Sequence, residues 1–175
     1  MKDHYLDSGD YIKLACEFAE VAIGRYEGLG IYTGDYKLNV ALTNAAISAE
    51  LFFKSGLAVR EYQNEVIETG REDVVVTIHH STIDLPKVQR SHDLMILFNM
   101  LPKNEQSWIV GAVVGKINRI STVVEFNSFL SGVSKLFVSR RYPTDGVSFG
   151  SNDYLQAESF ISFVKILMSL YREKI

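Results

Sequence analysis

The sequence predicts an all-α protein, an antiparallel bundle of five to six helices. Three observations carry this expectation. Apolar residues recur at i, i+3, i+4 and i+7 in several separate stretches. The region from 36 to 68 contains no proline. Helix-start signals stand directly before apolar runs at Ser91-His92-Asp93, at Thr122-Val-Val-Glu125 and at Asp153. With 175 residues, one domain spanning 1–175 is large enough to bury a core.

Tyr11, Leu14, Ala15, Phe18 and Ala22 mark one face of a first helix, capped by Ser8 or Asp10 and ending near Glu27. The following Gly28-Leu-Gly-Ile-Tyr-Thr-Gly34 reads as a loop. It is not a phosphate-cradling glycine motif, because it follows a helix rather than a strand and its last spacing is one residue too long. A long second helix is expected from Tyr36 to Glu68. Its buried stripe is Leu38, Leu42, Ala45, Ala49, Phe52, Phe53 and Leu57, and Ala45, Ala49 and Gly56 are small enough for a partner helix to approach. Glu50 and Lys54 stand four apart in the order that favours pairing across one turn.

Gly70 is expected to stop that helix. Val74-Val-Val-Thr-Ile78 is β-branched, and Thr82-Ile-Asp-Leu85 can return beside it, giving a short hairpin around 73–86 with His79-His80 at its turn. Neighbouring strand residues point to opposite faces, so these two imidazoles do not suit one metal, and no further ligand pattern accompanies them. No metal or cofactor is expected.

Ser91 is placed to cap a helix through Leu97 and Phe98, with Asp93 in its first turn and Pro102 beyond its end. Asn104 can cap a weaker helix with Trp108, Ile109 and Val113, interrupted by Gly111 and Gly115. Thr122 and Glu125 form a capping box, which opens a helix carrying Phe126, Phe129, Leu130, Val133 and Phe137 and stopped at Tyr142-Pro143. Asp153 is expected to cap the last helix. Its core face is Ala157, Phe160, Ile161, Val164, Leu167, Met168 and Tyr171.

Composition narrows the function classes. The chain is 47% hydrophobic and 22% charged, as in ordinary globular proteins. A net charge of −3 argues against a general polyanion binder. The charge is uneven: residues 1–50 carry net −4 and residues 101–150 net +3. A single cysteine, Cys16, excludes an intrachain disulfide and reads as a packed thiol. Asp3 falls where a signal peptide would be apolar, and no apolar run approaches the ~20 residues of a membrane span, so a cytoplasmic protein without membrane contact is expected.

Three motifs in order resemble the HEPN family of small helical bundles. The helix containing Asn44-Ala-Ala-Ile-Ser-Ala-Glu50-Leu-Phe-Phe-Lys54-Ser-Gly-Leu is similar to the family's apolar-acid-apolar-lysine helix. Ser91-His92-Asp93-Leu94, with Leu97 and Phe98, resembles its small-His-Asp-Leu helix start. Phe137-x-x-Arg140-Arg141-Tyr142-Pro143 resembles an arginine-tyrosine ending of a bacterial branch, with Arg140 where a tryptophan is usual and Asp145 as the following acid. The resemblance spans residues 40 to 145.

It implies a homodimer. Many members are metal-independent endoribonucleases, of toxin or defence type, with a signature of arginine, four to six residues, then histidine. A guanidinium there holds phosphate while an imidazole moves a proton. None of the eight arginines of this chain has a histidine at that distance; Arg71 and His79, with seven residues between, come nearest. Two expectations follow. One is a non-catalytic binding module engaging a protein partner of nucleotidyltransferase type, a nucleotide or RNA. The other is a divergent ribonuclease using His92 with Arg140 or Arg141.

The candidate binding residues are Arg140, Arg141, Tyr142, His92, Asp93, Glu50 and Lys54, with His92 as the catalytic candidate. Each has a structural alternative. His92 can fix the helix start by hydrogen bonding to the second helix, and Asp93 can complement the helix dipole. The two arginines can stabilise a helix C-terminus, and Arg141 can pair with Glu50 or Asp93. A bundle with a small-molecule pocket has no support in the sequence beyond the fold.

Overall fold

The computed structural model describes residues 8–29, 35–58, 60–68, 75–83, 91–140 and 151–175. Among these residues six helices make an all-α bundle: α1 (Ser8–Glu27), α2 (Asp35–Leu57), α3 (Leu94–Met100), α4 (Lys103–Val113), α5 (Val123–Arg140) and α6 (Ser151–Arg172). A two-stranded antiparallel hairpin, β1 (Arg60–Glu68) and β2 (Val75–Ile83), is inserted between α2 and α3.

The predicted stripe of α2 is the centre of the core: Leu38, Leu42, Ala45, Ala49, Phe52, Phe53 and Leu57 are all buried. Beyond Leu57 the stripe has no successor. The expected continuation to Glu68 is replaced by β1, which pairs with β2 residue for residue from Arg60 opposite Ile83 to Glu68 opposite Val75. The positions that would extend the stripe after Leu57 are Arg60, Glu61 and Asn64, so packing of that face no longer holds this segment in a helix, and ladder hydrogen bonds satisfy its backbone instead. The hairpin is therefore longer than expected and uses a different partner. His79 and His80 stand within β2 opposite Asn64 and Gln63 rather than at the turn, and the turn itself lies outside the described residues.

The apolar face expected for α1 is rotated. Its buried residues are Ile12, Ala15, Cys16, Ala19 and Ala22, whereas Leu14 is exposed. The small residues explain the choice. Ala15, Ala19 and Ala22 meet the equally small Ala41, Ala45 and Ala49 side of α2, and the backbones approach until the Ser48 hydroxyl donates to the Ala15 carbonyl at 2.8 Å. Close backbone packing wins over the larger leucine side chain. Residue numbers rise in α2 as they fall in α1, so the pair is antiparallel. α6 runs antiparallel to α1 as well, tied by Lys165 to Glu27 at 2.7 Å and by Arg172 to Glu20.

The layers join through phenylalanines. Phe53 of α2 meets Phe98 of α3, with centroids 5.9 Å apart, and Phe163 of α6 at 6.4 Å; Phe126 of α5 meets Phe98 at 5.2 Å and Phe163 at 6.0 Å. Such tilted and edge-on contacts add to the area burial.

Helix starts differ from expectation in detail. Ser8 and Asp10 lie inside α1, and Asn104 and Asp153 lie inside α4 and α6. Asp93 itself caps α3, accepting from the amides of Met95 and Ile96, while Ser91 Oγ accepts from the Asp93 amide. The side chain of Asp93 reaches the N2 and N3 donors, where a capping oxygen is most effective. Pro102 starts α4, its missing N–H costing nothing at a helix entry. The Thr122–Glu125 capping box forms as read. The Glu125 amide donates to Thr122 Oγ1, and Glu125 Oε2 accepts from the Thr122 and Ser121 amides at 2.9 and 2.8 Å. The stop at Tyr142-Pro143 lies outside the described residues.

Candidate functional site

α2 and the start of α3 bring together four of the residues named from the sequence. Glu50 and Lys54 are one turn apart on α2, and Lys54 Nζ donates to Glu50 Oε1 at 2.6 Å. His92, two residues before α3, places Nδ1 at 3.0 Å from both oxygens of the same carboxylate. A carboxylate only accepts, so Nδ1 carries the proton and donates. Asp93 is the adjacent cap and turns its carboxylate to the α3 amides instead of to this cluster.

Burial grades the cluster from inside to outside. The side chains of Glu50 and Lys54 are only 9% and 12% exposed, whereas that of His92 is 48% exposed. A carboxylate this deep requires partners on both oxygens, and the lysine and imidazole supply them. Tyr11 of α1 lies near enough to feel the charge: burial, and then Glu50, push its phenol above the usual tyrosine range. On the other side, the buried Ser134 hydroxyl of α5 accepts from the Leu94 amide at 3.0 Å. The start of α3 is thereby fixed to α2 through His92 and to α5 through Ser134.

Contacts also set where Arg140 stands. Leu94 lies beside Ser134 and Phe98 beside Phe126, so α3 and α5 are antiparallel. The last turn of α5, which ends at Arg140, therefore projects past the α3 start, toward the end of the bundle that holds His92. The Arg140 side chain, Arg141 and Tyr142 lie outside the described residues. Among the described residues no group of three His, Cys, Asp or Glu side chains is arranged to hold a metal, and no helix is long and apolar enough to cross a membrane.

A second carboxylate cluster has no local signature in the sequence. Glu105 of α4 accepts from the Tyr171 hydroxyl at 2.5 Å and from Lys174 Nζ at 2.9 Å. The Lys174 ammonium also lies over the rings of Trp108 and Tyr171, at 4.7 and 4.3 Å from their centroids. Burial, then the Glu105 charge, raise the Tyr171 phenol far above its usual value. Gly56 makes the arrangement possible, since a Cβ there would fall 2.5 Å from Glu105 Oε1. The small residue at 56 was legible; the partner it admits, on another helix, was not.

A cavity of about 410 Å³ opens elsewhere, between the α4–α5 connection, α5 and α6. Neither Glu50, Lys54, His92 nor Asp93 lines it.

Comparison of the chain with family models, with curated proteins and with solved structures gave no match.

Proposed function

We propose that this chain is a non-catalytic, HEPN-like interaction module that acts as a homodimer and engages a protein partner, a nucleotide or RNA without cleaving RNA. The observation that carries this reading is the internal pairing of Glu50, Lys54 and His92. The acid, the ammonium and the imidazole that resemble the family's motif residues neutralise one another at the junction of α2 and α3, which suits a brace. The absence of an arginine at the family's spacing before any histidine agrees with it. Exposed Val123 and Val124 at the start of α5 and exposed Tyr36 and Val40 on α2 supply apolar surface for a protein contact.

One observation favours a second reading, a divergent metal-independent endoribonuclease. The carboxylate of Glu50 orients the His92 ring through Nδ1, and the ring is half exposed, so Nε2 has the form of a general base. The test separates the two. Purified protein is incubated with mixed single-stranded RNA, with and without divalent ions, beside a His92→Ala variant, and sedimentation is recorded at micromolar concentration. The module reading expects intact RNA and a dimer. Cleavage that disappears in His92→Ala would establish the nuclease instead, and a strict monomer would remove the dimer.

A further inference from the structure

We propose that the groove between the α4–α5 connection, α5 and α6 binds a small amphipathic organic anion, its carboxylate or phosphate held by Arg119 and its apolar body laid on Ile120, Phe129 and Leu155. The site is distinct from the Glu50 cluster and does not depend on the interaction-module reading.

The groove has the size and the mixed lining of a small-ligand site. Its volume of about 410 Å³ lies within the range of such pockets. Ile120, Phe129 and Leu155 form an apolar wall, while Asn118, Ser128 and Gln156 add hydrogen-bonding groups that can fix an orientation. A second chamber of about 240 Å³ shares Asn118, Arg119, Leu155 and Ser159 with it and adds Lys116 and Glu158, so that its charged lining is two cations and one carboxylate.

Arg119 is presented to this space by a rigid turn. Ile117 and Ile120 on either side are buried, and the Gly115 amide donates to the Ile120 carbonyl at 2.7 Å while the Ile120 amide donates to the Ile117 carbonyl at 3.1 Å. Anchored at both isoleucines, the chain is forced outward between them, and Arg119 takes a φ of +69°, a conformation that residues with a Cβ rarely adopt. Among the described residues its guanidinium has no ion-pair partner. Glu125 lines the same groove, yet its carboxylate accepts from the Ser121 and Thr122 amides at the start of α5. Those amides compensate its charge and leave the arginine fork open to a ligand anion. An exposed guanidinium on the rim of a groove lined by an aromatic and two aliphatic side chains selects a ligand with a charged head and an apolar body over either alone.

Two dyes of nearly the same shape test the charge requirement: an anilinonaphthalene sulfonate and the uncharged phenylnaphthylamine, each titrated by fluorescence. The intact chain is expected to bind the sulfonate at one saturable site. Arg119→Gly keeps the left-handed turn and removes the guanidinium; it should weaken the sulfonate dye about tenfold, as loss of a charged hydrogen-bonding partner does, and leave the neutral dye within about twofold. Leu155→Glu should abolish both, whereas Leu14→Glu, on α1 beyond the C-terminal end of α6, should change neither. Displacement by benzoate or by phenyl phosphate then identifies the head group. The proposal is overturned by any of four results: no saturable sulfonate binding, equal binding by Arg119→Gly, equal losses from Leu14→Glu and Leu155→Glu, or displacement by neither anion.

Discussion

Glu50 and Glu105 are chemically the same and sit almost equally deep, at 9% and 11% exposure, but their neighbourhoods differ. Glu50 gathers a lysine from its own helix and a histidine from a segment 42 residues away. Glu105 gathers a tyrosine and a lysine from the end of the chain, 66 and 69 residues away, under a glycine that leaves room for it. Both carboxylates join helices that are distant in sequence. Each has a lysine at hydrogen-bond distance, but Lys54 is 12% exposed and Lys174 37%, and the second carboxylate also takes a neutral phenol where the first takes an imidazole. The Glu50 cluster should therefore be the more sensitive to loss of its acid, and the Glu105 cluster the more sensitive to loss of space.

Glu50→Ala should give the largest effect. It leaves the Lys54 ammonium buried without its acceptor, and about 3 kcal/mol should be lost in urea unfolding. Adding Lys54→Met should recover a good part of that loss; failure to do so would place the cost in packing rather than in charge. At the other cluster, Gly56→Ala should cost roughly 1–3 kcal/mol, because the new methyl would stand 2.5 Å from Glu105 Oε1 and 2.8 Å from Leu101 Cδ2. A cost equal to that of an ordinary exposed substitution would show that Glu105 swings aside freely.

Tyr171→Phe keeps the ring against Phe52 and Trp108 and removes only the hydroxyl, for an expected loss of about 1.5 kcal/mol. It should also alter the alkaline limb. The folded-state phenol is raised above its ordinary value of 10.0, so its contribution is complete below pH 10 and is lost as pH rises beyond it. The variant should show a shallower decline there. Asp93→Ala, which removes two hydrogen bonds at the start of α3, should cost about 1 kcal/mol by the same unfolding assay.

The smallest effect belongs to the exposed capping box. Hydrogen bonds from Ser121 lead the causes that hold the Glu125 carboxyl below its ordinary 4.5, so its contribution is present above that pH and is lost as pH falls through the lowered folded value. Glu125→Gln should flatten that part of the acid limb, lowering stability slightly at pH 7 and converging with the intact chain at low pH.

What the sequence reveals follows from the range of the forces involved. The α2 stripe and the Thr122–Glu125 box depend on residues three and four apart, so periodicity exposes both. The Glu50–Lys54 pair is legible for the same reason. The α1 face is not, because hydrophobicity favours Leu14 while close packing of Ala15, Ala19 and Ala22 on α2 settles the orientation. The β1 strand is missed because proline-free sequence permits a helix without requiring one; β2, its partner, decides. The Glu105 cluster and the left-handed Arg119 turn depend on contacts that exist only after the helices have met.

The account rests on His92 being held by Glu50, and the protonation pattern of its ring reports that contact directly. Long-range proton–nitrogen correlation spectra of the folded chain at neutral pH should show the His92 proton on Nδ1, and Glu50→Ala should release the ring to the Nε2-protonated form. An Nε2–H ring in the intact protein, unchanged by Glu50→Ala, would contradict it.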